Sequence, residues 1–219
     1  MLHSNIFLYI TKKKYLNNNH KNLKSHLDLF YEIIQNRAEV EPFGSIPLYS
    51  ITRPREDYMY ETPKIVAPYK SKGNIFGYCE TSWYASGDVY FLNIKQNNDI
   101  SLKYILSLLN SKLYYIWLYN KGKRKGDLFE LYQKPLSEIP IKKVDENTQN
   151  KFISVVDKIL AVTQTEDYLQ NEEKQNAVKE YEKQIDIMVY KLYELTYDEV
   201  LTIDKDFSLT EESYCDFQL

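Results

Sequence analysis

The chain has 219 residues, of which 43% are hydrophobic and 27% charged, with a formal net charge of −3. This length is enough for one large or two small domains that fold without disulfides or metals. The two cysteines, Cys79 and Cys215, are far apart and form no metal-binding or redox pair, so we expect free thiols in a reducing cytoplasm. No stretch approaches the roughly 20 apolar residues of a membrane-spanning helix, so we expect no membrane partner.

The net charge conceals two parts of opposite sign. Residues 1–143 carry 21 Lys and Arg against 13 Asp and Glu, a net charge of +8, whereas residues 144–219 carry 7 against 18, a net charge of −11. Such a division is typical of a chain that binds a polyanion with one part and protein with the other. An acidic tail that only improves solubility would give the same charges, so charge alone leaves both interpretations open.

The first 94 residues divide into a helical part and a strand-rich part. Residues 12–37 predict a basic lead-in followed by a helix whose apolar face includes Leu27, Phe30 and Ile33. From residue 41 onward, Pro and Gly recur at short intervals between runs rich in Tyr, Ile, Val and Phe, which predicts strands and turns in a small mixed or antiparallel sheet. The predicted strands are residues 48–52, 64–67, 75–78 and 89–94.

Residues 103–141 are the stretch around which the rest of the chain is arranged. Apolar residues three or four apart predict a buried helix that ends near Trp117 and is capped by Asp99 or Ser101. A loop follows at residues 121–126, where two glycines release the backbone and four cations can meet phosphate. The stretch closes on a short apolar segment bracketed by two prolines.

After residue 141 the sequence is almost wholly helical. Apolar residues between Phe152 and Leu160 mark one helix, and a second, over residues 172–195, carries an apolar stripe that packs on a neighbouring helix. We therefore predict an α+β fold with a small curved sheet, packed helices and a C-terminal antiparallel helix pair. The predicted segments are a basic lead-in and helix at 1–40, a central domain at 41–143 and an acidic helical region at 144–219.

The sequence lacks the residue patterns that most catalytic sites require. No Gly-x-Gly and no Asn-Pro occurs, which excludes a dinucleotide or methyl-donor glycine loop and the Asn-Pro-Pro-aromatic tetrad of amino-methyltransferases. The three histidines have no partner at metal-ligand spacing. Glu172, Glu173 and Lys174 are similar to the magnesium site of nucleases, but Glu and Lys are also the usual solvated residues of a helix. We predict no catalytic and no metal-binding residue in this chain.

Residues suited to binding are better represented. Guanidinium groups can read guanine edges in the major groove and ammonium groups hold phosphates, so cations mixed with tyrosines favour nucleic acid. A structural role stays open for each of them, because lysines on edge strands also discourage aggregation. The cations in and beside the strand-rich region are Arg53, Arg55, Lys64, Lys70 and Lys72.

Six stretches, in order, resemble one known family. They are GSIPLYSITRPR from Gly44, PKIVAPY from Pro63, IFGYCETSWYASGDVYFL from Ile75, LLNSKL from Leu108, GKRKGDLFELYQKPLSEIPI from Gly122 and IDIMVYKLYELTYDEV from Ile185. Together they resemble the target-recognition domain of type IIG restriction-modification enzymes, which is also called the TaqI-like C-terminal specificity domain. The resemblance covers nearly the whole chain after about residue 15.

The resemblance implies a non-catalytic domain that directs a methyltransferase or endonuclease to its target site. Residues 41–143 would be the DNA target-recognition domain, and an adenine-specific methyltransferase, in some members with a nuclease, would do the chemistry. Its implied partners are double-stranded DNA and a methyltransferase domain or subunit. S-adenosylmethionine, and magnesium if there is a nuclease, would be cofactors of the parent enzyme, whereas this chain would bind none.

The site residues that we predict from this resemblance fall into two groups. The candidates for base edges or the nearby backbone are Arg53, Arg55, Lys70, Lys72 and Asn74. The candidates for phosphate are Lys64, Lys121, Lys123, Arg124 and Lys125. Lys64 would otherwise cover the sheet edge, and we favour a structural role for Asn110.

The main alternative is a protein-interaction module that docks a partner through its acidic helices and binds no DNA. A stand-alone nuclease is a third class, which would cleave DNA with magnesium and lose that activity when Glu173 is replaced by Gln.

Overall fold

The computed structural model describes residues 21–38, 40, 44, 46–51, 53–95 and 98–219. The chain divides into two compact units, residues 1–58 and 59–219. This division differs from the three segments predicted from charge and composition, whose boundaries remain predictions.

In the first unit, the predicted helix is two short helices, α1 (Lys21–Asp28) and α2 (Tyr31–Gln35). They are separated at Leu29 and Phe30, and both of these side chains are exposed. The predicted lead-in at residues 12–20 lies outside the described residues.

The strand predicted at residues 48–52 does not form over its described part, residues 48–51. The carbonyl groups of Leu48 and Ser50 accept hydrogen bonds from Nη2 of Arg37, at 3.3 and 2.9 Å. A side chain therefore satisfies backbone groups that a neighbouring strand would otherwise pair. The described β pairing in this unit is an isolated bridge between Val40 and Ile46.

Helix α3 (Asp57–Glu61) leads into the strands of the second unit. In chain order the strands are β1 (Lys64–Pro68), β2 (Lys70–Ser71), β3 (Gly77–Cys79), β4 (Val89–Leu92), β5 (Arg124–Lys125) and β6 (Leu128–Glu130). They form two antiparallel sheets, one in the order β3-β1-β4 and one in the order β2-β6-β5. The first sheet confirms the strands predicted near residues 64, 75 and 89, whereas the second sheet was not predicted.

The remaining helices of this unit are α4 (Leu102–Leu109), α5 (Lys112–Lys121), α6 (Gln133–Ser137), α7 (Glu146–Thr163), α8 (Glu172–Leu192), α9 (Tyr197–Ile203) and α10 (Glu211–Asp216). Ser101 caps α4 as predicted, because its side chain accepts a hydrogen bond from the Lys103 N–H. The helix predicted to continue to Trp117 is interrupted, since Ser111 accepts from the Tyr114 N–H and starts α5 as a new cap.

One hydrophobic core joins the sheets to the C-terminal helices. Tyr104 on α4 and Phe152 on α7 are fully buried, and their ring centroids are 5.4 Å apart. Lys174 at the start of α8 bonds to Thr165, just beyond the end of α7 (3.1 Å), while Lys158 in α7 lies over the ring of Tyr181. The two helices therefore run antiparallel, and the predicted α+β class with a C-terminal helix pair is confirmed.

The segment at residues 139–143, which we call the crossing segment, is held by side chains of α4 and α5 and by the C-terminal end of α8. The hydroxyl groups of Tyr104 and Tyr114 donate to the carbonyl oxygens of Lys142 and Pro140, at 2.8 and 2.5 Å. Nζ of Lys142 donates to the carbonyl oxygen of Leu192 at the end of α8 (2.6 Å).

Among the described helices, none has the length and hydrophobicity to cross a membrane.

Candidate nucleic-acid interface

The loop predicted at residues 121–126 is in large part a β-hairpin. Lys125 pairs with Leu128, and Gly126, with a φ of 61°, is the first of the two turn residues between them. Glycine adopts this backbone conformation without steric cost, and two-residue hairpin turns favour it there. Gly122 is required for another reason, because a Cβ there would lie 2.5 Å from the carbonyl oxygen of Leu118.

One face of the second sheet packs on α5. Ser71 and Arg124 both pair with Phe129 from opposite sides, so the three side chains share this face. The Phe129 side chain is buried, with its ring centroid 5.3 Å from that of Tyr115 on α5. The guanidinium of Arg124 stacks over Tyr119 of the same helix, 3.9 Å from the ring centroid.

The opposite face of this sheet carries lysines. Lys70 pairs with Glu130 and Lys125 with Leu128, and residues 128 and 130 of a strand point to the same side. Nζ of Lys123 lies 3.4 Å from Oε2 of Glu130 and so belongs to this side too. We call Lys70, Lys123 and Lys125 the lysine face; all three side chains are exposed to solvent.

Two tyrosines accompany these lysines. Nζ of Lys70 lies 5.0 Å from the ring centroid of Tyr69, and Nζ of Lys123 donates to the hydroxyl of Tyr132 (2.9 Å). The two tyrosine rings contact each other edge to face, 6.0 Å apart. The hydrogen bond to Tyr132, and after it that to Glu130, raises the pKa of Lys123 above its ordinary value. Lysines beside aromatic rings make a surface suited to phosphate and to bases alike.

Two further predicted residues lie at the margins of the sheet. Lys72 directly follows β2, and Lys121 is the last residue of α5, immediately before the hairpin; both are exposed. Six of the ten predicted site residues are thus exposed on or next to one sheet, namely Lys70, Lys72, Lys121, Lys123, Arg124 and Lys125.

Arg53 and Arg55 belong to the first compact unit and are therefore described apart from this sheet. The Arg53 side chain is exposed and that of Arg55 is half-buried. The role of both arginines in base recognition stays a prediction.

The structure corrects the predicted phosphate contact of Lys64 and restricts the predicted base contact of Asn74. Lys64 is 0% exposed, and its Nζ donates to the carbonyl oxygen of Thr81 (3.0 Å), while burial lowers the pKa of its ammonium. A buried ammonium cannot reach phosphate, so Lys64 has a structural role. Both N–H groups of Asn74 Nδ2 are used, because they donate to the carbonyl oxygens of Leu109 and Ser111, at 2.7 and 2.8 Å. A base contact of Asn74 through its Oδ1 acceptor stays a prediction.

The favoured structural role of Asn110 is confirmed. Its Oδ1 accepts a hydrogen bond from the Phe76 N–H (2.9 Å) and its Nδ2 donates to the Phe76 carbonyl oxygen (3.0 Å). Together with Asn74, it holds the chain before β3 against the junction of α4 and α5.

In the described part of the chain, the acidic residues at the start of α8 are not grouped with further candidate metal ligands. Within residues 21–219 as far as they are described, no three His, Cys, Asp or Glu side chains are grouped to hold a metal ion. Glu172 and Glu173 occupy the exposed first turn of α8, and Nζ of Lys174 contacts Asp167 (2.5 Å) and Thr165.

Sequence reasoning named Tyr69 among the tyrosines that accompany the cations, but it missed Glu130 and Tyr132. A signal for the hairpin was present, because Gly126-Asp127 separates two short runs by two residues. Pairing Tyr69 and Lys70 with this hairpin needed the fold, since about sixty residues separate them in the sequence.

Comparison with known proteins agrees with the resemblance. Residues 4–141 match the TaqI-like C-terminal specificity domain. The chain is 37% identical over 87 residues to the type II methyltransferase M.HincII of Haemophilus influenzae, which covers 37% of this chain and 17% of that protein. The type II methyltransferase M.HindII of Haemophilus influenzae strain Rd gives the same identity and coverage. The matched segment therefore spans about a sixth of these relatives. Because the family match covers more than half of its residues, the chain belongs to the family of TaqI-like C-terminal specificity domains.

Proposed function

We propose that this chain is the sequence-specific DNA-recognition domain of a type IIG restriction-modification enzyme. It directs a methyltransferase, or a methyltransferase with an endonuclease, to its target site and does no chemistry itself. The observation that carries the proposal is the gathering of exposed cations on and beside one small sheet whose other face is packed on α5. Family membership and the similarity to two type II methyltransferases support the same function.

The lysine face has the chemistry of a sequence-independent grip on the DNA backbone. Phosphate contacts fix the orientation of a protein on the duplex, whereas contacts to base edges carry the sequence information. The exposed ammonium groups of Lys70, Lys121 and Lys125 suit phosphate, and each phosphate that they neutralise releases counterions. Arg124 lies on the opposite face of the sheet, stacked on Tyr119, so its predicted phosphate contact stays a prediction separate from this grip.

Sequence reading is assigned to Arg53, Arg55 and Lys72, with Lys70 serving base edges or the nearby backbone. Arginine makes paired hydrogen bonds to O6 and N7 of guanine, which is a common specific contact in the major groove. Half-burial of Arg55 would limit its freedom and favour a fixed contact.

The chemistry belongs to the partner. S-adenosylmethionine would be bound by an adenine-specific methyltransferase domain or subunit, and magnesium by a nuclease, because this sequence has no Gly-x-Gly and no Asn-Pro. The whole assembly would act in the cytoplasm.

Fluorescence anisotropy with a random-sequence DNA duplex tests the grip. We expect binding whose logarithm falls linearly with the logarithm of salt concentration, and K125A should flatten that slope by about 0.9. K205A is the matched control, since it removes an equal charge from an exposed lysine in the acidic part. Failure to bind the duplex at low salt would refute the proposal, and an equal effect of both substitutions would remove Lys125 from the grip.

Selection of binding sites from a random DNA pool tests the reading function. Wild-type chain should enrich a defined motif, and R53A should relax one position of it at a cost of about 1–3 kcal/mol. A uniform loss of affinity across all sequences would instead make Arg53 a backbone contact. Enrichment of no motif, together with capture of a protein partner by the acidic helices, would favour the interaction module.

A further inference from the structure

A nearly buried carboxylate lies in the middle of the lysine face. Glu130 is 6% exposed and belongs to β6, the central strand, with Lys70 as its cross-strand partner. A surface that binds phosphate gains nothing electrostatically from a negative charge at its centre. We therefore asked whether Glu130 controls which of the surrounding lysines can contact phosphate.

Glu130 is committed to one lysine of the face. Its Oε2 lies 3.4 Å from Nζ of Lys123, and its backbone N–H donates to the Lys123 carbonyl oxygen (2.8 Å), which fixes the two residues side by side. The Lys123 ammonium also donates to the hydroxyl of Tyr132 (2.9 Å). The Lys123 ammonium therefore already has one hydrogen bond and one ion pair within the protein.

Lys123 consequently differs from Lys125, two residues later on the same hairpin. The Lys123 side chain is 57% exposed, but its charge is balanced by a carboxylate that is itself 8% exposed and so shielded from water. Moving this ammonium onto a phosphate would leave the Glu130 charge without its partner in a buried position, which is unfavourable. A phosphate must therefore compete with Glu130 for Lys123.

We propose that Glu130 is a positioning residue that withholds Lys123 from the DNA backbone and so limits how many phosphates the lysine face neutralises. The proposal rests on the DNA-binding function proposed above. Its consequence concerns specificity, because affinity for random DNA comes almost wholly from phosphate contacts, while the affinity for the target adds base contacts. When the phosphate contacts contribute less to binding of every sequence, the base contacts contribute a larger share of the affinity for the target.

The substitution Glu130→Gln tests the proposal, because it keeps the side-chain shape and removes the charge. The freed Lys123 adds one phosphate contact, so binding to a random duplex should become tighter and the salt slope steeper by about 0.9. Between about 50 and about 200 mM salt, E130Q should therefore lose affinity about 3.5-fold more than the wild-type chain. A salt slope is a readout that a merely structural role of Glu130 would not change in this direction.

Two further variants separate the possible causes. D127N removes an equal charge from the exposed turn of the same hairpin and should leave the slope unchanged, because it frees no lysine. The double variant K123A/E130Q removes both partners of the pair and should return the slope to the wild-type value. Equal slopes for E130Q and D127N, or a steep slope that persists in the double variant, would overturn the proposal.

A measurement without DNA separates this proposal from the function on which it rests. Acetylation of Lys123 by acetic anhydride, followed by mass spectrometry, should be faster in E130Q than in wild type, with Lys125 as the internal reference. Equal rates would overturn the pairing even where the chain binds DNA. Faster acetylation in a chain that binds no duplex would leave the pairing intact and refute the DNA-binding function, and with it the role of Glu130 towards DNA.

Discussion

A buried carboxylate on α8 gives the second unit a pH-dependent stability. Asp186 is 8% exposed, and its Oδ1 accepts a hydrogen bond from the Lys112 N–H at the start of α5 (2.8 Å). Asp204, also nearly buried, is bound by Nζ of the same lysine (2.7 Å). Burial raises the pKa of Asp186 to about 6, against the lowering effect of Lys112, and the neighbouring Asp204 and Glu182 add to the rise.

The raised pKa of Asp186 determines how stability changes with pH. Because the folded state holds the Asp186 proton more tightly than the unfolded state, the contribution to stability is complete below the ordinary pKa of 3.8 and is lost as the pH rises through about 6. At about 1.36 kcal/mol for each pH unit, the gap corresponds to about 3 kcal/mol. Asp186→Asn keeps the acceptor for the Lys112 N–H and removes the titration, so its advantage over wild type should grow by up to about 3 kcal/mol between about pH 4 and about pH 7.5.

Urea unfolding followed by tryptophan fluorescence measures this difference, since both tryptophans, Trp83 and Trp117, lie in the second unit. The difference in unfolding free energy between D186N and wild type should increase with pH. D216N removes an exposed carboxylate and should give a difference that does not vary with pH in this way. A constant difference for D186N across the range would refute the reasoning from burial.

Two further predictions concern the junction of α4 and α5 and the start of the hairpin. N110A should lower the free energy of unfolding by about 2–4 kcal/mol, because it leaves the N–H and the carbonyl group of Phe76 without their hydrogen-bond partner. A loss below about 1 kcal/mol in urea unfolding would show that water replaces the amide. G122A should lower the melting temperature measured by circular dichroism, because its Cβ would lie 2.5 Å from the Leu118 carbonyl oxygen, whereas G87A, where nothing lies within 4 Å, should not.

Local patterns predicted the elements whose signals extend over many residues. The apolar stripes of α7 and α8 repeat at helical spacing over several turns, and the strands of the first sheet stand between regularly placed prolines and glycines. The Ser101 cap followed from its residue type just before an apolar run. These features depend on residues within one segment, so a single sequence was enough to predict them.

The rest depended on contacts between distant segments. Strands β2 and β5 have two residues each, which is too short for any periodic signal, and their sheet forms only when Lys70 meets Glu130. Lys64 and Asn74 look like available polar groups in the sequence. Their partners, the carbonyl oxygens of Thr81 and Leu109, are set by tertiary packing. That packing makes Lys64 a structural residue and engages the amide nitrogen of Asn74.

The crossing segment has a consequence for the engineering of new specificities. Two tyrosine hydroxyls from α4 and α5 and one carbonyl group at the end of α8 hold it, and the ring contact between Tyr104 and Phe152 continues the core beyond it. A recombinant exchange that joins two parents at residue 143 would match the change in charge. It would, however, pair Lys142 with the carbonyl group of a foreign residue at position 192, and Tyr104 with a foreign residue at position 152. Residues 59–219 should therefore be moved together, because their core then stays intact, and the segment with Arg53 and Arg55 has to accompany them if these arginines read the bases as proposed.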